Sequence, residues 1–176
     1  MIGSRHLRRL WCDSSGVAGA EMVLILPLAT FMVLVTLDAG YFMYTEHAVI
    51  KSVRDAARWG SRQPLSAFDC TAETSDTLIA SSDPNLGAIR DDIANLVRFG
   101  DLSTTGPLIV SGWGDDQVEV SYGCEAVDTG IYQNDGYAPK ITIVGKPNYP
   151  SLFGAMGGFP SSLTLVAREQ AVVAGI

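Results

Sequence analysis

Charged residues are scarce in this chain. Asp, Glu, Lys and Arg make up only 18% of its 176 residues, whereas apolar residues make up 47%. This composition excludes a disordered acidic tail, because such tails contain few apolar residues. The basic residues are fewer than the acidic ones, 12 against 19, and the resulting charge of −7 argues against electrostatic binding to nucleic acid.

Histidine is also scarce, and the usual catalytic motifs are missing. His6 and His47 are the two histidines, and they stand far apart in the sequence. The sequence contains no H-E-x-x-H, no P-loop and no G-x-S-x-G motif. The acidic pairs at 91–92 and 115–116 lack the spacing of an EF-hand. We therefore expect no enzyme activity, no catalytic residue, no cofactor and no metal site.

What the chain has in excess is apolarity near its N-terminus. Residues 22–37 carry no charge, Asp38 follows them, and further apolar residues come after it. The window from Met22 to Tyr41 would form about 30 Å of helix at ~1.5 Å per residue, which is enough for a bilayer core. We predict a membrane-spanning helix with Glu21 at one edge and Asp38 near the other interface. The alternative is a buried core helix.

The same helix is predicted to continue beyond the membrane. Apolar residues recur at helical spacing between positions 49 and 60, with charged residues on the opposite face. Pro64 marks the end of this pattern. The sequence therefore predicts one long helix from about Val17 to about Arg62, with a local kink at Pro27.

A short motif precedes the apolar segment: Gly16 stands five residues before Glu21. This spacing resembles the processing site of type IV prepilins and pseudopilins, which a membrane peptidase cleaves after the glycine. The wider segment, roughly residues 13–64, resembles the TadE-like family of minor pseudopilins from the tight-adherence (Tad/Flp) pilus. Besides the motif, the features that carry this resemblance are the early Pro27, Asp38-Ala39-Gly40, Ala56-Ala57-Arg58 and Gly60-x-Arg62.

The resemblance implies a processing site between Gly16 and Val17. Glu21 then becomes the fifth mature residue and pairs with the N-terminal amine of a neighbouring subunit during assembly. The alternative is that Glu21 simply lies at the membrane interface. The implied function is that of a minor pseudopilin, needed for pilus assembly or initiation and hence for surface adhesion. The alternative function is a TadG-like periplasmic module, anchored in the inner membrane and neither processed nor incorporated into a fibre.

The implied partners are the prepilin peptidase, other pilins and pseudopilins, the Tad assembly platform and inner-membrane lipid, with no nucleic acid. The implied topology is a single pass with the N-terminus in the cytoplasm and the head in the periplasm. The chain then divides into a leader (1–16), the long helix (17–62) and a head (63–176). The leader carries a charge of +2 from three arginines and one aspartate, so the remainder carries −9.

The head is predicted to be a small α+β, pilin-like domain with an antiparallel sheet of about four strands. A polar loop over 65–82 leads to a second helix, with Asp83 as its N-cap, Pro84 at its first position and Gly100 at its end. The predicted strands are 108–110, 118–122, 141–144 and 163–173, and a hairpin at 114–116 joins the first two.

Two further features concern the head. Cys12 precedes the predicted span, whereas Cys70 and Cys124 follow it and can pair if the head lies outside the cytoplasm. The alternative is two separate buried thiols. A glycine-rich apolar loop at 154–158 is flanked by large apolar side chains that would form a patch for another subunit if exposed. These side chains are Leu152, Phe153, Met156 and Phe159.

Overall fold

A computed structural model describes residues 15–133, 136–154 and 162–175 of the chain. Within these residues a long N-terminal helix packs on a small head made of a second helix and a four-stranded antiparallel sheet, so the predicted α+β fold is confirmed. The elements in chain order are α1 (Ser15–Gly60), β1 (Thr74–Leu78), α2 (Gly87–Phe99), β2 (Val118–Ala126), β3 (Tyr137–Gly145) and β4 (Ala167–Val172).

Helix α1 consists of two parts with different surroundings. None of the residues 19–37 is buried, and we call this part the stem. It is about 28 Å long at ~1.5 Å per residue. Beyond it, Val49, Val53 and Ala56 are at most 1% exposed and pack into the core of the head. The amphipathic pattern predicted for this half is therefore confirmed, and Pro27 lies inside the stem.

The sheet is a simple meander in which every strand pairs with its neighbour in the sequence. Alternating residues of β2 and β3 face the two helices, for example Val120 opposite Ile143. The other face is polar, and the Thr142 hydroxyl there donates to Asp76 at 2.8 Å. Together with α1 and α2, the inner face forms one continuous hydrophobic core.

The strands run alongside α1, which gives the head two distinct ends. At the end near the stem, which we call the proximal end, Gly145 closes β3 against Val53 and Trp113. A Cβ on this glycine would lie 2.9 Å from Cζ2 of Trp113 and 3.1 Å from Cγ2 of Val53, so the close packing of β3 against Trp113 and α1 requires glycine here. At the opposite, distal end, the backbone N–H of Ala174 donates to the carbonyl of Ser61 at 2.8 Å.

Three of the predictions for the head are wrong. The polar segment 65–82 contains β1, all of whose side chains are exposed. Residues 108–110 form no strand, because they pack beside the end of α2, where the N–H of Ile109 donates to the carbonyl of Arg98. The segment 114–116 accordingly forms no hairpin, and a short 3-10 turn (Asp115–Gln117) leads into β2.

Other boundaries differ by a few residues from those predicted. Helix α2 begins at Gly87, but Asp83 still caps this region, since its Oδ1 accepts the N–H groups of Asn85 and Leu86 at 2.9 and 2.8 Å. These two hydrogen bonds lower the pKa of the Asp83 carboxyl. Gly100 ends α2 with φ +73°, the left-handed conformation typical of a helix C-terminus.

Candidate functional site: the stem and its junction with the head

The stem is the least ordinary surface of the molecule. It exposes a continuous series of large apolar side chains, and its most apolar stretch of 18 residues has a mean hydropathy of 2.2 with none of it buried. These exposed side chains include Met22, Val23, Leu24, Ile25, Leu26, Leu28, Phe31, Met32, Val33 and Leu37. A surface of this size requires an apolar partner, because exposing it to water costs about 25 cal/mol per Å². By length and composition, α1 can cross a membrane.

The residues of the predicted processing and assembly site lie at the free end of the stem. Gly16 and Val17 belong to the first turn of α1, which begins at Ser15 and in which the backbone N–H groups lack intrahelical acceptors. Glu21 is exposed, and in the part of the chain that the structure describes it forms no hydrogen bond or ion pair. The fold does not bring these three residues near the head.

At the other end of the stem, Asp38 is completely buried by a loop of the head. The Tyr149 hydroxyl lies 2.8 Å from Oδ1 and 2.9 Å from the backbone carbonyl oxygen of Asp38. The Leu152 N–H donates to Oδ1 at 3.1 Å, and the Ser151 hydroxyl donates to Oδ2 at 3.0 Å. We call residues 149–154, which provide these donors, the junction loop.

These hydrogen bonds make the buried carboxylate tolerable. A buried carboxylate without partners is strongly unfavourable, whereas hydrogen bonds to a charged group contribute about 1.5–3 kcal/mol each. Among the described residues, no cation lies within ion-pair distance of Asp38. Neutral donors from the head therefore satisfy this charge, and the same contacts attach the head to α1.

Aromatic packing fixes the central donor of this junction. The Tyr149 ring is 1% exposed and packs edge-on against Phe42, with ring centroids 5.2 Å apart, and tilted against Tyr41 at 6.0 Å. Burial raises the pKa of the Tyr149 hydroxyl, and its hydrogen bond to Asp38 raises it further. The hydroxyl therefore remains a proton donor throughout the neutral and moderately alkaline range.

The sequence predicts Asp38 near a membrane interface but does not predict its partners in the head. One signal pointed to them: an acid within an apolar helix needs hydrogen-bond donors. Tyr149 and Ser151 are polar residues beside an apolar, glycine-rich segment, which is a suitable source. Sequence alone could not select them, since they are 111 and 113 positions away from Asp38.

Cys70 and Cys124 form a disulfide with Cα atoms 5.6 Å apart. It joins the segment that follows α1 to β2 at the distal end of the head. The pairing is therefore favoured over two separate buried thiols. A cleft of about 550 Å³ beside it is lined by Phe68, Tyr132 and other residues, and it brings together no catalytic constellation.

The remaining predicted site features add little chemistry. Leu152 is 53% exposed, whereas Met156 and Phe159 lie outside the described residues. Within the described ranges, no group of three or more His, Cys, Asp or Glu is arranged to hold a metal ion. Asp115 links Arg90 and Arg98 at 2.7 and 3.4 Å, which fastens α2 to the 3-10 turn before β2.

These features agree with a comparison against known families. Residues 16–58 match the family model for TadE-like protein. The TadE-like segment begins at the glycine of the predicted processing motif, contains the stem and Asp38, and ends two residues before α1 does. The match covers about a quarter of the chain, and it points to an association with the Tad pilus. No curated protein and no solved structure is similar enough to the chain to count as a match.

Proposed function

We propose that this protein is a minor pseudopilin of a Tad/Flp pilus that takes part in pilus assembly or initiation, and hence in surface adhesion. The observation that carries the proposal is the exposed apolar stem, about 28 Å long, inside a TadE-like segment. A bare helix of this kind suits both a bilayer, before assembly, and a bundle of like helices in a fibre. A pilin-type subunit needs both environments in turn.

The proposed topology places the N-terminus in the cytoplasm and the head in the periplasm. The disulfide between Cys70 and Cys124 supports it, because disulfides persist in oxidising compartments such as the bacterial periplasm. The leader, residues 1–16, is then on the side where a prepilin peptidase acts. Its removal leaves a subunit with a net charge of −9, because the leader holds three arginines and one aspartate.

Cleavage between Gly16 and Val17 would create a new amine four residues before Glu21. Glu21 has no partner among the described residues, so its carboxylate is available to the amine of a neighbouring subunit. Within an apolar helix bundle such an ion pair adds little net stability, but it sets the axial register of one helix against the next. The other proposed partners are pilins, pseudopilins and the Tad assembly platform.

The experiment is to produce the full chain with and without the cognate prepilin peptidase and to determine the N-terminus of the membrane-bound product. We expect Val17 as the first residue only when the peptidase is present. The Gly16→Leu variant should stay uncleaved, whereas Gly19→Leu, the same change outside the scissile bond, should be processed normally.

An intact Met1 terminus, with a peptidase that processes the major pilin in the same cells, would overturn the proposal. That outcome would instead support the TadG-like module, which remains anchored in the inner membrane. Detection of the cleaved chain in sheared pilus fractions would further support incorporation into the fibre.

A further inference from the structure

The junction loop carries apolar side chains that the head leaves uncovered. Leu152 is 53% exposed, and Phe153 is partly exposed beside it. From residue 147 to residue 154 the chain contains no charged residue. The hydrogen bond from the Leu152 N–H to Asp38 holds this exposed leucine directly beside α1, at the point where the stem meets the head.

The length of the stem decides how deep this point lies. The uncharged residues 22–37 span only about 24 Å, whereas the hydrocarbon core of a bilayer is about 30 Å thick. The hydrocarbon must therefore extend past Glu21 or past Asp38. Asp38 already has its hydrogen bonds from the junction loop, while Glu21 has none among the described residues.

Placing Asp38 inside the hydrocarbon is therefore less costly than placing Glu21 there, because the protein itself shields the Asp38 carboxylate from lipid. With the boundary at about Tyr41, Asp38 lies roughly 4.5 Å inside it. The loop atoms that bond to Asp38 must then enter the same layer. This depth suits an uncharged loop with an exposed leucine.

We propose that the junction loop is a second membrane contact, in which Leu152 and Phe153 insert into the bilayer boundary beside α1. Its partner is the lipid surface, and Asp38 acts as a positioning residue that holds the loop at this depth. The inference rests on the proposed membrane anchorage of the stem. It adds that the head lies against the bilayer and is not suspended above it on the helix.

The test uses nitroxide labels on the full chain in vesicles of phosphatidylethanolamine and phosphatidylglycerol. In a Cys12→Ser background, single cysteines replace Leu152, Leu28 in the stem or Ile131 near the distal end. All three positions are exposed, so the labels disturb no core packing. The measurement is the collision rate of each label with oxygen, which concentrates in lipid, and with a water-soluble nickel chelate. A mass determination confirms that the Cys70–Cys124 disulfide is intact.

We expect labels at 28 and 152 to favour oxygen and the label at 131 to favour nickel. Asp38→Asn should shift the label at 152 towards nickel while the label at 28 keeps its preference. A label at 152 that is as accessible to nickel as the one at 131, with 28 still in lipid, would overturn this inference and leave the anchor intact. A label at 28 that is accessible to nickel would overturn the anchor itself. If Asp38→Asn does not fold, the accessibility of the label at 152 in the protein with native Asp38 is sufficient to test the inference.

Discussion

The hydroxyl group of Tyr149 lies 2.8 Å from Oδ1 of Asp38, although the two residues are 111 positions apart in the sequence. This contact joins a loop of the head to the long helix at the point where the helix leaves the head. It turns an acid within an apolar helix into a structural attachment. The stability of the head and its position on α1 should therefore both depend on it.

Tyr149→Phe removes one donor from a buried carboxylate and leaves the ring in place. We expect the free energy of unfolding to fall by about 1–3 kcal/mol, which is the usual cost of leaving a buried polar group short of a partner. Denaturant titration in detergent measures it. Tyr44→Phe is the matched control, since Tyr44 lies on α1 close to the junction and is 72% exposed. Equal stability of the two variants would contradict the role assigned to Tyr149.

The contribution of Tyr149 should also depend on pH. An unfolded tyrosine ionises near pH 10, whereas burial and the contact with Asp38 raise the pKa of the folded Tyr149. Its stabilisation is therefore fully present below about pH 10 and is lost as the pH rises towards the folded pKa. The stability difference between the native protein and Tyr149→Phe should shrink above about pH 10. A difference that stays constant or grows there would show that the hydroxyl is not held in its neutral form.

The disulfide should contribute measurably to the stability of the head. Cys70 and Cys124 are 54 positions apart, and closing a loop of this size typically stabilises a fold by about 2–4 kcal/mol. Replacing both cysteines by alanine should lower the free energy of unfolding by that amount, and reducing agent should then have no further effect. Cys12→Ala provides the control. Two thiols that react with an alkylating reagent in the unreduced, folded protein would exclude the bond.

Packing at the proximal end depends on a single missing side chain. Gly145→Ala would place a Cβ 2.9 Å from Trp113 and 3.1 Å from Val53, so the strand, the Trp113 ring or α1 must move. Overpacking of this kind costs about 1–3 kcal/mol. Gly106→Ala, where an added Cβ meets nothing within 4 Å, should change the melting temperature little. If the two variants have the same melting temperature, the packing around Gly145 is looser than these distances indicate.

The assembly role proposed for Glu21 is tested in cells. Glu21→Gln keeps the size and polarity of the side chain but removes its charge, so pilus number should drop strongly while membrane insertion and leader removal persist. Glu46→Gln makes the same change at an exposed position of α1 beside the head and should leave assembly intact. Normal piliation with Glu21→Gln would reject the pairing with a neighbouring N-terminus.

Sequence patterns predicted the elements whose residues alternate between two environments. The helical spacing of Val49, Val53 and Ala56 indicated the buried face of α1, and the alternation of β2 and β3 indicated strands. Strand β1 was not predicted, because all five of its side chains are exposed and its sequence therefore shows no alternation of apolar and polar residues. Its structure is imposed by pairing with β2, for example Thr77 opposite Tyr122.

The error at 108–110 was the opposite one, because a strand was predicted there and none forms. This run is as apolar as a buried strand, and Val110 is buried in the core, but the backbone N–H of Ile109 donates to Arg98 at the end of α2 and the run joins no sheet. A short apolar run alone cannot distinguish these cases. The same distinction holds for the candidate site. The motif from Gly16 to Glu21 is local and can be recognised in the sequence, whereas the partners of Asp38 are set by tertiary folding.

The meander described above leaves little open β-edge among the described strands. Strand β4, at one end of the sheet, packs against α1. Strand β1, at the other end, is five residues long, carries the charged Asp76 and has an irregular register between Thr74 and Thr77. Short, charged and irregular edges resist pairing with a foreign strand. Many copies of this head could therefore be crowded together without joining into intermolecular sheets.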